Sequence, residues 1–146
     1  MKIGTVGFGN RIAHVYFELK QINPEVEMIS FVDPQPIGKK FAESKNIFPS
    51  KEYKNLHDML KNEKLDLLMI GSPNHLHLDH IKIGLNAGIK IFAEKPIVID
   101  EMQSFELAKL LGEFGQDQVL VGLVLRYSQH ARSVRDLINK NILGNI

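Results

Sequence analysis

The sequence contains no cysteine, and this excludes disulfide bonds, thiolate catalysis and cysteine-based zinc sites. It also has little net charge: 18 basic and 17 acidic residues leave +1 at pH 7, so no basic field favours nucleic acid or an anionic membrane. Its apolar runs, such as residues 119–125, fall far short of the ~20 residues of a membrane span, and its first eight residues lack the pattern of a secretory signal. We therefore expect a cytoplasmic protein without a nucleic-acid or membrane partner.

The residues that are present are typical of one globular domain: 146 residues, 44% hydrophobic and 24% charged. Apolar runs predict strands at residues 2–7, 26–32, 65–71, 89–93 and 119–125. Amphipathic stretches predict helices at residues 12–22, 38–45, 56–60, 78–86, 101–112 and 133–141. The strands are continuously apolar, as in parallel sheets covered by helices on both faces, so we expect a doubly wound α/β fold.

Individual residues support two of these helix ends. Asp100 is expected to be the N-cap of the helix that follows it, and Gly88 the left-handed residue after the helix that precedes it. The helix at residues 101–112 offers four large apolar side chains for burial: Phe105, Leu107, Leu110 and Leu111.

The first strand runs directly into a glycine-containing loop, Gly7-Phe8-Gly9-Asn10-Arg11-Ile12-Ala13. A dinucleotide site needs a tight strand-to-helix turn, a backbone that the pyrophosphate can approach and a helix N-terminus facing it. Gly7 suits the turn and Gly9 the close approach, whereas Ile12 stands where a small residue is usual. Such a turn also occurs without any ligand. The predicted cofactor-binding residues here are Gly7, Phe8, Gly9, Asn10, Arg11 and Ile12.

An acidic residue, Asp33, ends the second predicted strand. A carboxylate at this point accepts hydrogen bonds from the ribose hydroxyls of NAD and repels the 2′-phosphate of NADP. The alternative is an Asp-Pro turn that needs no ligand. Lys39 and Lys40 are close enough in sequence to make NADP possible, although they also suit a solvated helix face. The order of strand, glycine turn, helix, strand and acid favours NAD as the cofactor.

Two further segments follow strands at the edge where open α/β sheets bind ligands: Ser72-Pro73-Asn74-His75-Leu76-His77 and Glu94-Lys95-Pro96. Together with the glycine loop they make the chain resemble the glucose–fructose oxidoreductase/inositol dehydrogenase (Gfo/Idh/MocA) family. The resemblance runs from the glycine loop through residues 122–127 to residues 143–146.

The resemblance implies roles for individual residues. In the family the first segment, here Ser72, Pro73, Asn74, His75 and His77, flanks the nicotinamide end of the cofactor. Glu94 would lie near the nicotinamide ribose, and Lys95 would be catalytic, holding the substrate hydroxyl and assisting its proton transfer. The Lys95-Pro96 bond would be cis, and Arg126 would lie near the site. The sequence departs from the family at Ile12, at Val124, where asparagine is common, and at Gln129, where proline is frequent.

The residues also allow plainer interpretations. His75, His77 and His80 have the spacing of metal ligands, but no carboxylate or cysteine cluster accompanies them, so we predict no metal site. His77 is better explained as a cofactor contact and His80 as a helix-surface residue. Lys95 is also compatible with a solvated strand end. The basic residues near the C-terminus suit one polar helix face rather than an anion site: Arg126, Arg132, Arg135 and Lys140.

The resemblance divides the chain into a dinucleotide-binding domain at residues 1–125 and, at residues 126–146, a linking helix and the start of a second α/β domain. That second domain, which supplies most of the substrate pocket, is absent here, so the chain is expected to be a fragment. The apolar face of the linking helix is then open to self-association: Val134, Leu137, Ile138 and Ile142.

The function expected of the intact protein is NAD(P)-dependent oxidoreduction. It would transfer hydride between nicotinamide and a hydroxyl-bearing carbon of a sugar, cyclitol or related polyol, while this chain alone would bind cofactor but turn over little. One alternative is a stand-alone dinucleotide-binding module that acts as a sensor or subunit. Another is a Rossmann-like fold that has lost its ligand. The sequence does not specify the substrate.

Overall fold

The computed structural model describes residues 1–142 and 144. Its centre is a parallel sheet of six strands in the order β3-β2-β1-β4-β5-β6 within this part of the chain. The strands are β1 (Lys2–Val6), β2 (Glu27–Val32), β3 (Lys51–Glu52), β4 (Leu67–Ile70), β5 (Lys90–Ala93) and β6 (Val119–Val121). The chain builds outward from β1 in one direction and then, from β4, in the other. The predicted doubly wound fold is confirmed, and its ligand crevice is expected where the order reverses, between β1 and β4.

Six α-helices connect the strands within the described residues: α1 (Asn10–Ile22), α2 (Lys39–Ser44), α3 (Leu56–Asn62), α4 (His77–Asn86), α5 (Glu101–Phe114) and α6 (Gln129–Asn139). Short 3-10 turns lie at Asn74–Leu76, Gln116–Gln118 and Val124–Tyr127. None of the described helices is long and apolar enough to cross a membrane. The predicted helix ends are confirmed, because the Asp100 side chain accepts a hydrogen bond from Gln103 N at 2.8 Å and Gly88 has φ +71°.

Two apolar clusters cover the two faces of the sheet. One packs α1 and α2 against it through Ile3, Met69 and their neighbours, and the other packs α3, α4 and α5 through Leu68 and Ile70. Successive residues of β4 thus alternate between the clusters, as the pleat of a strand requires. Because both faces are covered, β1, β2, β4 and β5 are nearly continuous apolar runs.

The structure corrects three predictions and adds one strand that the sequence did not predict. The strand expected at residues 119–125 ends at Val121, since the chain turns at Gly122 and coils into the turn at Val124–Tyr127. The last helix begins at Gln129 rather than near residue 133, because the Ser128 hydroxyl caps it by accepting from Ala131 N. Strand β3 has two polar residues and no apolar pattern that predicts it. On α5, Leu107 is buried, but Phe105 points outward and is 70% exposed.

The described part of residues 126–146 differs from the rest of the chain. Helix α6 buries none of its residues, and its apolar face, Val134, Leu137 and Ile138, is exposed, as is Ile142 beyond it. The predicted resemblance at Leu143, Asn145 and Ile146 lies outside the described residues.

Candidate cofactor and active site

A cavity of about 650 Å³ opens at the carboxyl ends of β1, β2 and β4, where the strand order reverses. Several of the residues predicted to bind the cofactor line it, together with others that the sequence did not single out. Its lining comprises Val6, Gly7, Gly9, Val32, Asp33, Pro34, Gln35, Ile37, Lys54, Asn55, Leu56, Gly71, Ser72, Pro73, Leu76 and His80.

The glycine turn joins β1 to α1 at the rim of this cavity. Gly7 has φ +80°, donates its N–H to Val32 O at 2.8 Å, and leaves no room for a Cβ against the backbone of Ser72. Gly9 precedes α1 in extended conformation, and a Cβ there would meet nothing within 4 Å. No side chain caps α1, and its first turn holds no acidic residue. The start of this 13-residue helix therefore has the open backbone that an anionic pyrophosphate requires.

Two residues of the glycine loop turn their side chains away from the cavity. Phe8 is fully buried against Phe31 and Phe48, and Ile12 is 1% exposed. Ile12 occupies the space that a side chain at Gly71 would fill. Gly71, at the end of β4, thus leaves space for Ile12, which stands where the glycine loop of a dinucleotide site usually has a small residue. A side-chain contact from Phe8 or Ile12 to a cofactor in this cavity is not compatible with this packing.

Asp33 follows β2 and is tied to the glycine turn. Its Oδ2 accepts from Phe8 N at 2.6 Å, and its Oδ1 accepts from Gln35 N at 2.7 Å. The Asp-Pro turn expected as the alternative is therefore present. Each carboxylate oxygen keeps a further lone pair, and the residue lines the cavity, so the turn leaves it able to accept hydroxyl donors.

The lysines close to Asp33 in sequence are not those that reach the cavity. Lys39 pairs with Glu43 at 3.7 Å and lies 5.3 Å from the centre of the Phe48 ring. Lys40 is exposed on α2. The lysine that lines the cavity is Lys54, which follows β3. It could not be recognised from the sequence because β3 itself was not predicted.

The Ser72–His77 segment forms the turn between β4 and α4. Ser72 is buried at the cavity wall, whereas Asn74 and His75 lie on the exposed side of the turn. His77 is 1% exposed, with Nε2 2.8 Å from Ser72 O and Nδ1 2.8 Å from Pro96 O. The interpretation of His77 as a cofactor contact is corrected: its two nitrogens are engaged by backbone carbonyls, and the ring joins the two segments beneath the site.

His80 is the cavity residue that the sequence assigned wrongly to the helix surface. Its Nδ1 lies 2.9 Å from Ser72 Oγ, and its ring is half-buried. Burial lowers the pKa of the His80 imidazole below its ordinary value, and the nearby His77 ring lowers it further, while Asp79 opposes the change. The sequence does contain a signal for this position. His80 lies three residues after His77, so both belong to the first turn of α4, and this turn faces the same edge of the sheet.

Glu94 and Lys95 follow β5 and face different surroundings. The Lys95-Pro96 bond is cis, as the resemblance predicted. Glu94 is 9% exposed, and its Oε1 has no hydrogen-bond partner among the described residues. Gly122 leaves it space, since a Cβ there would lie 3.1 Å from Oε1. A buried carboxylate oxygen without a donor is costly, so this atom suits a ligand hydroxyl.

A second cavity, of about 490 Å³, brings Lys95 together with Arg11 and Arg126. Apolar residues 122–125 form the rest of its wall. Lys95 and Arg126 thus line the same cavity, and the role of Arg126 near the cofactor stays a prediction. Within residues 1–142 and 144, no group of three or more His, Cys, Asp or Glu side chains is arranged to hold a metal ion.

The comparisons with known proteins agree with this geometry. The family model for the oxidoreductase family with an NAD-binding Rossmann fold matches residues 1–123. Inositol 2-dehydrogenase of Salmonella typhimurium is 23% identical over 144 residues, which are 99% of this chain and 43% of that protein. The inositol 2-dehydrogenase/D-chiro-inositol 3-dehydrogenase of Lactiplantibacillus plantarum is 21% identical over 98% of this chain and 41% of that protein.

Two solved structures illustrate the similarity of fold. Scyllo-inositol dehydrogenase of Lactobacillus casei with NAD(H) and scyllo-inositol superposes with a TM-score of 0.83 at 24% identity, covering 100% of this chain and 43% of that chain. The WlbA dehydrogenase of Bordetella pertussis with NADH and UDP-GlcNAcA gives a TM-score of 0.80 at 24% identity, covering 99% and 44%. This chain thus spans less than half the length of these relatives.

Proposed function

This chain belongs to the oxidoreductase family with an NAD-binding Rossmann fold, the Gfo/Idh/MocA family, and from that premise we propose that it is the NAD-binding part of a sugar, cyclitol or polyol dehydrogenase. The proposed reaction moves hydride between nicotinamide and a hydroxyl-bearing carbon. The proposal draws its substrate class from relatives named for inositol. No observation favours a stand-alone module without catalysis.

The observation that carries the proposal is the uncapped start of α1 beside the open space at Gly9. Free backbone N–H groups and the positive end of the helix dipole attract an anion, and the missing Cβ lets it approach the backbone. Asp33 lies at the same edge, where it is available to ribose hydroxyls. A second carboxylate, Glu94, has a buried oxygen without a hydrogen-bond partner among the described residues, and we assign it to the nicotinamide half of the cofactor. These features fit NAD from end to end.

The bound dinucleotide supplies the hydride acceptor, and the residues of this chain hold the groups around it. We propose that Asp33 holds the adenosine ribose, the start of α1 the pyrophosphate and Glu94 the nicotinamide ribose. Lys95 lines the second cavity, where its Nζ would hold the substrate hydroxyl and assist its proton transfer. Arg11 and Arg126 line the same cavity and would orient the oxygen atoms of the substrate.

The predicted domain division enters the proposal as well. We propose that residues 1–125 form the nucleotide-binding domain and that residues 126–146 link it to a substrate domain. The exposed apolar face of α6 supports this division, because such a face is usually covered by protein. In the isolated chain we propose that the same face of α6 associates with a second copy.

The test of cofactor binding is a fluorescence titration of the purified chain with NADH and NADPH. We expect NADH to bind more tightly, because Asp33 repels a 2′-phosphate. Gly9→Ala should weaken NADH binding at least about tenfold, or roughly 1.4 kcal/mol, without lowering the unfolding temperature, since the added Cβ contacts no protein atom.

The matched control is Gly112→Ala, on the exposed surface of α5, where a Cβ also meets nothing within 4 Å. This variant should bind NADH like the wild type. If neither nucleotide bound at millimolar concentration, the proposal would be wrong; tighter binding of NADPH would contradict the role of Asp33. The catalytic test introduces Lys95→Met in the source and isolates the variant protein from there. Its kcat for polyol oxidation should be about 10²- to 10⁴-fold lower than that of the wild type.

A further inference from the structure

His80 projects from the first turn of α4 into the wall of the larger cavity. Its Nδ1 is held by Ser72 Oγ at 2.9 Å. Ser72 is itself held, because its carbonyl oxygen lies 2.8 Å from Nε2 of the buried His77. The His80 ring is thus fixed at one nitrogen by a residue that is fixed in turn, and its other nitrogen has no hydrogen-bond partner among the described residues.

The protonation state of this ring follows from its surroundings. Burial lowers the pKa of His80 and so favours the neutral ring, which has one donor nitrogen and one acceptor nitrogen. Among the described residues, Ser72 Oγ has His80 as its one hydrogen-bond partner. The serine hydroxyl is satisfied when it donates to Nδ1, and this leaves Nε2 with the ring proton. His80 therefore offers an N–H donor.

The surroundings of this donor suit a flat nitrogenous base. Apolar side chains from β2 and from the segments after β2, β3 and β4 line the cavity around it: Val32, Ile37, Leu56 and Leu76. An aromatic base gains from burial between such walls, and its ring nitrogens are hydrogen-bond acceptors. Asp33 lies in the same cavity, where the proposed function assigns it to the ribose that carries the base.

We propose that His80 determines specificity for the adenine half of the dinucleotide, by donating a hydrogen bond from Nε2 to a ring nitrogen of the base. This inference rests on the proposed function, which assigns the larger cavity to adenosine. It adds a recognition element on α4, at a histidine that the sequence assigned to the helix surface. His80 here binds the base and takes no part in hydride transfer.

The test measures binding of ADP-ribose by calorimetry, with analogues in which adenine N1, N3 or N7 is replaced by carbon. One of the three analogues should bind the wild type about five- to tenfold more weakly than ADP-ribose, the loss of one hydrogen bond. The His80→Leu variant should bind ADP-ribose more weakly than the wild type does, by the same factor. It should also bind that analogue as tightly as it binds ADP-ribose. The two changes then remove the same interaction.

Controls separate this contact from a general effect on the fold. His80→Gln keeps a donor and should retain more affinity than His80→Leu, and His130→Leu, on exposed α6, should bind ADP-ribose like the wild type. If no analogue loses affinity, or if the loss persists in His80→Leu, the inference is wrong even though NADH binds. If the wild type binds neither ADP-ribose nor NADH, the proposed function itself fails.

Discussion

The two ends of the crevice differ in how completely this chain builds them. At the β1–β2 end, Phe8 and Ile12 are buried beneath the glycine turn, and Asp33 is bonded to that turn. At the β5–β6 end, Leu125 and Tyr127 are more than half exposed, and α6 buries none of its residues. The comparison shows that local packing already fixes the adenosine side of the proposed site. The reactive side, in contrast, is open within the described residues.

The two ends are nevertheless joined. His77 contacts the carbonyl oxygens of Ser72, in the larger cavity, and of Pro96, next to Lys95. This buried ring links the segment after β4 with the segment after β5. The position of Lys95 thus depends partly on the better-packed end, so the comparison is tested by weakening each part in turn.

The largest expected effect is on the packed end, at Gly7. Gly7→Ala forces an L-residue to φ +80° and drives its Cβ against the backbone of Ser72. The left-handed conformation and the overlap together should lower the free energy of unfolding by about 3 kcal/mol or more. Denaturant unfolding followed by circular dichroism measures this change.

The control for Gly7 is Gly88→Ala. Gly88 has a similar φ, +71°, but a Cβ there would have open space around it. The free energy of unfolding of this variant should fall only by the cost of the left-handed conformation, about 1 kcal/mol. If the two variants lost the same unfolding free energy, the overlap of a Cβ at position 7 with the Ser72 backbone would have no cost. The close approach of β1 to the turn after β4 would then not be a constraint on the fold.

A smaller effect is expected from the bridge between the two ends. His77→Leu removes a buried ring whose two nitrogens lie 2.8 Å from the carbonyl oxygens of Ser72 and Pro96, and it leaves both carbonyl groups without this polar partner. We expect a loss of about 2 to 3 kcal/mol in unfolding free energy. Amide hydrogen exchange should also rise at residues 94–98, because the Lys95 segment loses its anchor.

Exposed His75 provides the matched control for this bridge, since it lies two residues away in the same segment. His75→Leu should change stability by no more than about 0.5 kcal/mol. A His77→Leu variant with unchanged exchange at residues 94–98 would mean that the two ends are held independently, contrary to the comparison drawn above.

The sequence predicted the backbone of the site better than its side chains. Gly7 and Asp33 could be recognised because each follows directly on a strand that an apolar run predicts, and each is a residue type that a dinucleotide site needs at that point. The cis bond at Lys95-Pro96 came from the family resemblance. The position of His80 could not be derived in this way, because it depends on where β4 and α4 bring Ser72, and the role of Lys54 depends on a two-residue strand without an apolar pattern.

Packing over long distances explains the other differences. Ile12 is larger than the residue usual at its place in the glycine loop. It fits because Gly71, at the end of a different strand, leaves space for it. Phe105 is apolar and at helical spacing, yet it points outward from α5. Periodicity identifies a helix face but does not show which part of that face meets the sheet.

The smallest expected effect on stability lies at the open end. Val134 and Ile138 form one exposed apolar face on α6 and are 50% and 48% exposed. Replacing both by Gln should change the unfolding free energy by no more than about 0.5 kcal/mol, since neither packs in the core.

If this face drives association, sedimentation should show the wild type forming dimers as its concentration rises and the variant remaining at 16.6 kDa. Ile22→Gln, at an exposed site on α1, is the control and should associate like the wild type. A wild type that stays monomeric would show that the open end is exposed without being adhesive, and the contrast between the two ends would then be one of packing alone.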